Sequence, residues 1–197
     1  MSATNRGSKR VPHDFYATPV SVASLFLKES NILSTVNGGI LEPSAGNGNI
    51  IQAIKQLSPD GEVTAVELRE EEIGNLKEAG AKDIIITNFL DTDFTDKYQL
   101  IIGNPPYSLA QEFVEKSISL LETGGTVAML LRIGFLGSKK RNSFFKKHPV
   151  SELYVCSARP SFTGKGTDSS EYAWFIWKKD VTETSIKCIL QEEIKCN

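Results

Sequence analysis

The apolar positions of the chain alternate between two periods. After Pro19, Val22, Leu25 and Phe26 fall on one face of a helix. "GGILEP" (38–43) is a short apolar run, and "NIIQAIKQL" (49–57) then spaces Ile50, Ala53, Ile54 and Leu57 as a helix does. The same exchange repeats through the strand-like runs "EVTAVEL" (62–68), "DIIIT" (83–87), "YQLIIG" (98–103) and "GTVAMLL" (125–131). The helical runs between and after them are "REEEIGNLKEAG" (69–80, closed by Gly80), "AQEFVEKSISLL" (110–121) and "SKKRNSFFKK" (138–147). "SELYVCS" (151–157) and "EYAWFIW" (171–177) supply two final strands. Alternating strands and helices require parallel crossovers, with helices on both faces of the sheet. The pattern therefore predicts a doubly wound α/β domain over 13–180, with a mostly parallel seven-stranded sheet and an antiparallel strand near its end. Residues 1–12 read as a mobile basic arm carrying Arg6, Lys9 and Arg10, and 181–197 as a short tail, either a strand with a short helix or a loose end.

Bulk properties narrow the class without naming it. At 197 residues the chain suits one domain with a real core. Its formal net charge of −2 confines any polyanion-binding surface to a local patch. No apolar run is long enough to cross a bilayer, so no membrane association is expected. Three cysteines without close spacing argue against a disulfide framework and against a cysteine metal site, and point to a reducing cytoplasm with no metal.

In a doubly wound sheet, ligands sit at the carboxyl ends of the strands. The first strand ends in "EPSAGNG" (42–48), where Gly46 and Gly48 open the next helix. Alone, this reads first as a simple strand-to-helix turn. It lacks the third glycine of a nicotinamide loop, since Ile51 stands there, and the Gly-Lys-Ser/Thr of a P-loop. Glu67 ends the second strand, where a carboxylate can accept from both hydroxyls of a ribose. Glu42 would repel a ligand carrying several phosphates and suit a cationic one. S-adenosylmethionine, with a ribose, an ammonium, a sulfonium and no phosphate, fits these positions.

The fourth strand stops in Asn104-Pro105-Pro106-Tyr107. Two prolines fix two φ angles and remove two backbone donors, so the ladder cannot continue. A corner of this kind suits transfer to an exocyclic amine, whose lone pair is delocalised into its ring. The Asn104 side-chain oxygen and the Pro105 carbonyl can accept from its two hydrogens and localise that lone pair. Pro106 helps hold the corner rigid, and Tyr107 offers a face for a planar base. The bland alternative is a rigid strand terminator with Tyr107 in the core.

With these residues in hand, the chain over about 13–178 resembles the S-adenosylmethionine-dependent N(6)-adenine DNA methyltransferases. The resemblance rests on "FYATP" (15–19), "EPSAGNG" (42–48), Glu67 and "NPPY" (104–107), in a gamma-like order of motifs. It implies a Rossmann-like methyltransferase fold. It also implies that Phe15, Tyr16 and Thr18 help hold the methionine end of the cofactor. The family's Asp-Phe pair after strand three, whose acid reaches the cofactor adenine, is Asn88-Phe89 here, without the charge. The implied cofactor set is thus Phe15, Tyr16, Thr18, Glu42, Ser44, Gly46, Gly48, Glu67, Asn88, Phe89 and Asn104. Phe162 matches the aromatic that stacks on a flipped base opposite Tyr107, or else it caps the core.

Many members continue into a target-recognition domain, and only about twenty residues follow the last catalytic strand here. Sequence choice is then expected from short loops or from a specificity partner. The stretch 138–148 carries Lys139, Lys140, Arg141, Lys146 and Lys147, candidate phosphate contacts, around Phe144 and Phe145. Adenine in DNA is the favoured acceptor. Adenine in RNA, a protein glutamine amide, and a non-catalytic nucleic-acid-binding module on the same fold remain alternatives. No Pro-Cys nucleophile follows a strand, which disfavours cytosine carbon-5 methylation.

Overall fold

The computed structural model describes residues 17–160, 170–179 and 185–189. Its strands are β1 (Ile40–Glu42), β2 (Val63–Glu67), β3 (Asp83–Ile86), β4 (Tyr98–Gly103), β5 (Leu121–Arg132), β6 (Glu152–Cys156), β7 (Tyr172–Lys178) and β8 (Ser185–Ile189). The helices are α1 (Val20–Ser30), α2 (Asn49–Leu57), α3 (Ile73–Ala79), α4 (Ala110–Ser119) and α5 (Asn142–Lys147). One eight-stranded sheet runs in the order β3-β2-β1-β4-β5-β7-β6-β8. Only β7 runs against its neighbours, pairing antiparallel with β5 and with β6. The doubly wound α/β expectation holds, and β8 adds an eighth strand, paired parallel with β6 from within the expected tail.

Alternation along the strands divides the core into two layers. Leu100 and Ile102, Ala128 and Leu130, and Tyr172, Trp174 and Ile176 face one side, with Phe26 of α1 and Ile50 and Ile54 of α2. Ile101, Met129, Leu131, Phe175 and Trp177 face the other, with Phe113 and Val114 of α4 and Phe144 of α5. Phe26 stacks on Trp174 at 4.4 Å between ring centroids, fastening α1 to the middle of the sheet.

Several boundaries differ from the pattern. The inner face of α1 is Ala23, Phe26 and Leu27, while Val22 and Leu25 pack at its margin. The charged run after β2 begins as a 3-10 turn over Glu70–Glu72 before α3 starts, and 138–147 splits into a 3-10 turn at Lys139–Arg141 followed by α5. The expected helix ending at Leu121 stops at Ser119, and Leu121 pairs with Tyr98 as the start of β5. Leu120 and Leu121 are both buried, so an apolar pair satisfies either period and tertiary pairing chooses.

The strand order reverses around β1, which lies between β2 and β4. This is the switch point at which the segments after β1 and β4 diverge and leave a crevice.

A candidate active site between the turns after β1 and β4

The turn after β1 is built for close approach. Gly46 and Gly48 adopt φ of 56° and 82°, and a Cβ on Gly48 would lie 2.6 Å from the Ala79 Cβ. Glycine is therefore required at Gly48 both by its backbone and by the packing of α3. The Gly46 N–H donates to Glu67 Oε2 at 2.7 Å, and Ala45 N–H donates to the Val66 carbonyl at 2.9 Å, so the turn is bound to the end of β2. Asn49 Nδ2 donates to the Thr18 carbonyl at 2.9 Å and brings the segment before α1 against the same turn.

The turn after β4 meets it directly. A Cβ on Gly103 would lie 3.3 Å from Pro43 Cδ and 3.6 Å from Ser44 Oγ, so the end of β4, just before the "NPPY" corner, packs on the "EPSAGNG" turn. Pro105 is buried, and Leu109 N–H donates to the Pro106 carbonyl at 2.9 Å, closing the corner before α4.

Three buried oxygens around the glycine turn, Thr18 Oγ1, Glu42 Oε2 and Ser44 Oγ, have no hydrogen-bond partner among the described residues. Buried acceptors left without donors are costly, and they fit a ligand that brings N–H or O–H groups and positive charge. Burial, followed by the neighbouring Glu67 charge, pushes the Glu42 carboxyl well above its ordinary range, against a hydrogen bond from the Ile51 backbone. A cation beside Glu42 would relieve that penalty, whereas a phosphate would deepen it.

Glu67 stands where a ribose carboxylate is expected, but it already has partners. Oε1 accepts from the Arg69 backbone at 3.1 Å and from Arg69 Nε at 2.9 Å. Arg69 also pairs with Glu72 at 2.9 Å, and Asn75 Nδ2 holds the other Glu72 oxygen at 2.7 Å. Nothing in the "ELREEE" charge run marked Arg69 as a partner of Glu67.

Asn88 and Phe89 have structural partners. The Asn88 oxygen accepts from Leu90 N–H at 3.1 Å, and its Nδ2 donates to Asp91 at 2.5 Å, so the amide caps its own turn. Asp91 thus brings a carboxylate beside the position where the charge was missing. Phe89 is buried in the core, against Phe94 at 5.5 Å and Phe113 at 5.1 Å, beneath the Lys116 ammonium at 5.2 Å. Phe89 anchors the loop that carries Asn88.

Tyr107 is likewise not an open platform. Its hydroxyl interacts with Asn104 and Tyr172, and burial first, then Tyr172, pushes the phenol far up and keeps it protonated. The Tyr172 ring lies 5.7 Å away, and the Arg132 guanidinium sits 4.8 Å over the Tyr107 ring. Arg132 Nε also donates to the Tyr172 hydroxyl at 3.2 Å. Arg132 and Tyr172 are cross-strand partners on β5 and β7, a pairing that the sequence pattern did not disclose.

Among the basic candidates, Lys139, Lys140, Lys146 and Lys147 are exposed. Arg141 is not: it donates to the Phe135 carbonyl at 3.0 Å and lies 4.4 Å over the Phe135 ring, which removes it from the phosphate set. Phe15, Tyr16 and Phe162 lie outside the described residues, as does the basic arm. No cluster of metal-ligating residues and no helix long and apolar enough to cross a membrane occurs among the described residues.

The Methyltransferase small domain family matches residues 15–152. The type II methyltransferase M.CvrRI of Paramecium bursaria Chlorella virus XZ-6E is 26% identical over 143 residues, covering 63% of this chain and 37% of the viral protein. The release factor glutamine methyltransferase of Streptococcus pneumoniae (strain ATCC BAA-255 / R6) is 30% identical over 90 residues, covering 43% of this chain and 32% of that protein. The chain thus spans about a third of the length of these two relatives. A Listeria monocytogenes structure assigned to the class I S-adenosylmethionine-dependent methyltransferases shares the fold, with a TM-score of 0.70 and 18% identity over 93% of this chain and 68% of that one. The unpartnered oxygens around the glycine turn and the carboxylate ending β2 fit the cofactor of that class. The chain belongs to the Methyltransferase small domain family, and S-adenosylmethionine is the cofactor that this family and fold imply.

Proposed function

We propose that the acceptor is the exocyclic amine of adenine in DNA. The observation that carries this reading is the approach of two strand ends: Gly103, which ends β4 and leads into the Asn104-Pro105-Pro106-Tyr107 corner, packs against Pro43 and Ser44 of the glycine turn after β1. Acceptor-side and donor-side groups therefore share one crevice. S-adenosylmethionine supplies an electrophilic methyl group carried on a sulfonium.

The residues of the chain do the rest by positioning. The Asn104 amide oxygen and the Pro105 carbonyl accept from the amine hydrogens and draw the nitrogen toward tetrahedral geometry, which localises its lone pair. The interaction of Asn104 with the Tyr107 hydroxyl helps orient the amide, and the prolines prevent the corner from relaxing. No general base is needed, because the amine becomes acidic once it carries the methyl group and gives its proton to solvent. Thr18, Glu42 and Ser44 would meet the methionine end, and Glu67 the ribose. An adenine inside a duplex must leave the stack to reach such a corner.

A second reading, methylation of a protein glutamine amide, is favoured by the similarity to the streptococcal glutamine methyltransferase and by the guanidinium covering Tyr107. Incubation with radiolabelled S-adenosylmethionine and separate DNA, RNA and protein acceptors, followed by digestion, tests both. N(6)-methyladenine from DNA is the expected product, and label recovered only in RNA or only as methylglutamine would reject it.

A further inference from the structure

Arg132 ends β5 at the same sheet edge as the "NPPY" corner, and it is exposed. Its guanidinium lies over the Tyr107 ring and its Nε is bonded to Tyr172. The next backbone N–H, that of Ile133, donates to the Glu171 carbonyl at 3.0 Å, which holds the strand end in place. A fixed base of this kind leaves a long side chain able to exchange one partner for another around one point.

We propose that Arg132 is the residue through which this site takes the phosphodiester adjoining its acceptor base, a role that rests on the nucleic-acid reading above. A Tyr107 face cannot hold a guanidinium and an acceptor base at once. When the base takes the face, Arg132 loses a cation–π contact while staying tethered at the mouth of the crevice. A nucleotide brings the compensation with it, since its phosphate arrives with the base. The planar guanidinium fork matches phosphate geometry and keeps its charge at every working pH. A glutamine side chain brings no anion, so for such an acceptor the exchange has no return.

The charged surroundings agree with this assignment. Arg141, the arginine that follows on the same edge, is committed to Phe135. Glu171, next to Tyr172, is paired with Arg159 at 2.7 Å. Lys139 and Lys140, in the second turn after β5, are exposed and add further cations to the segment that follows Arg132. At a net charge of −2, the protein needs such a local cation to admit a polyanion.

The test uses oligonucleotides in which the linkage on either side of the methylated adenine is a neutral methylphosphonate. In the wild-type protein one neutral linkage should raise KM about tenfold, and Arg132→Gln should raise KM for ordinary DNA by about the same factor, as for one charge-assisted contact. In Arg132→Gln the neutral linkage should then add nothing, while kcat moves far less than KM. Arg132→Lys should recover part of the loss. Anisotropy of labelled DNA gives the same comparison without turnover, and unchanged S-adenosylmethionine affinity shows that the variants are folded. If DNA is methylated but the neutral linkage penalises variant and wild type equally, or the variant loses kcat at constant KM, Arg132 only positions Tyr107 and the proposal fails alone. If the wild type methylates no DNA, the proposal falls together with the acceptor assignment.

Discussion

The backbone N–H of Gly46 donates to the Glu67 carboxylate at 2.7 Å, joining the glycine turn after β1 to the end of β2. One side chain thus shapes the turn assigned to one end of the cofactor and stands at the position proposed for its ribose. Arg69 completes the arrangement from the other carboxylate oxygen. Glu67→Ala should therefore weaken S-adenosylmethionine binding by about 1–3 kcal/mol and also lower stability, because a buried N–H loses its acceptor. Calorimetry and thermal unfolding measure the two effects separately. Binding loss without a fall in Tm would show that the turn does not depend on Glu67.

Glu42 should make cofactor binding pH-dependent. Its carboxyl is raised well above the ordinary range near 4.5, chiefly by burial. A raised folded-state pKa contributes stability that is complete below the unfolded value and is lost as pH climbs through the folded-state value. The cofactor-free protein should lose Tm across that rise, and Glu42→Gln should flatten the profile. A cationic ligand favours the ionised form, so binding should tighten with pH and release a proton. Calorimetry in two buffers of different ionisation enthalpy reads that proton directly. Identical pH profiles for the variant and wild type would remove Glu42 from the account.

Asn104→Ala should reduce methyl transfer on the order of 100-fold or more, as when one preorganised polar group is removed. Cofactor affinity should stay near wild type, because the amide is assigned to the acceptor amine. Single-turnover rates alongside equilibrium cofactor binding distinguish this outcome from general damage to the crevice. Substantial turnover in the variant would make the corner a structural stop alone.

Four lysines remain in the basic stretch after Arg141 is removed from it. Lys140 and Lys147 are both exposed, one in the 3-10 turn and one at the end of α5. If both meet phosphate, replacing both by alanine should lower the magnitude of the log–log salt slope for duplex binding by about 0.9 per contact, with base preference unchanged. An unchanged slope across a salt series would place the anchor elsewhere, with the arm carrying Arg6, Lys9 and Arg10 as the next candidate.

Much of this protein was legible in its chain because burial leaves a periodic record. Leu100, Ile101 and Ile102 alternate between two core layers, and the helical spacing places Ile50, Ala53 and Ile54 on the buried face of α2, although Leu57 of the same spacing is exposed and Ile51 is buried as well. Glycines in the first turn, Glu67 after β2 and prolines after β4 were readable for a related reason: each is a local demand on backbone or charge at a strand end. Tertiary structure alone decided the partnerships. Arg132 looks like an ordinary charge closing an apolar run, and only the β5–β7 register sets it opposite Tyr172 and over Tyr107. Arg141 reads as one cation among five, until the fold turns it back onto Phe135. Periodicity is a property of neighbours in sequence, while a side chain's partner depends on which strands lie side by side, and that is settled by packing across the whole sheet.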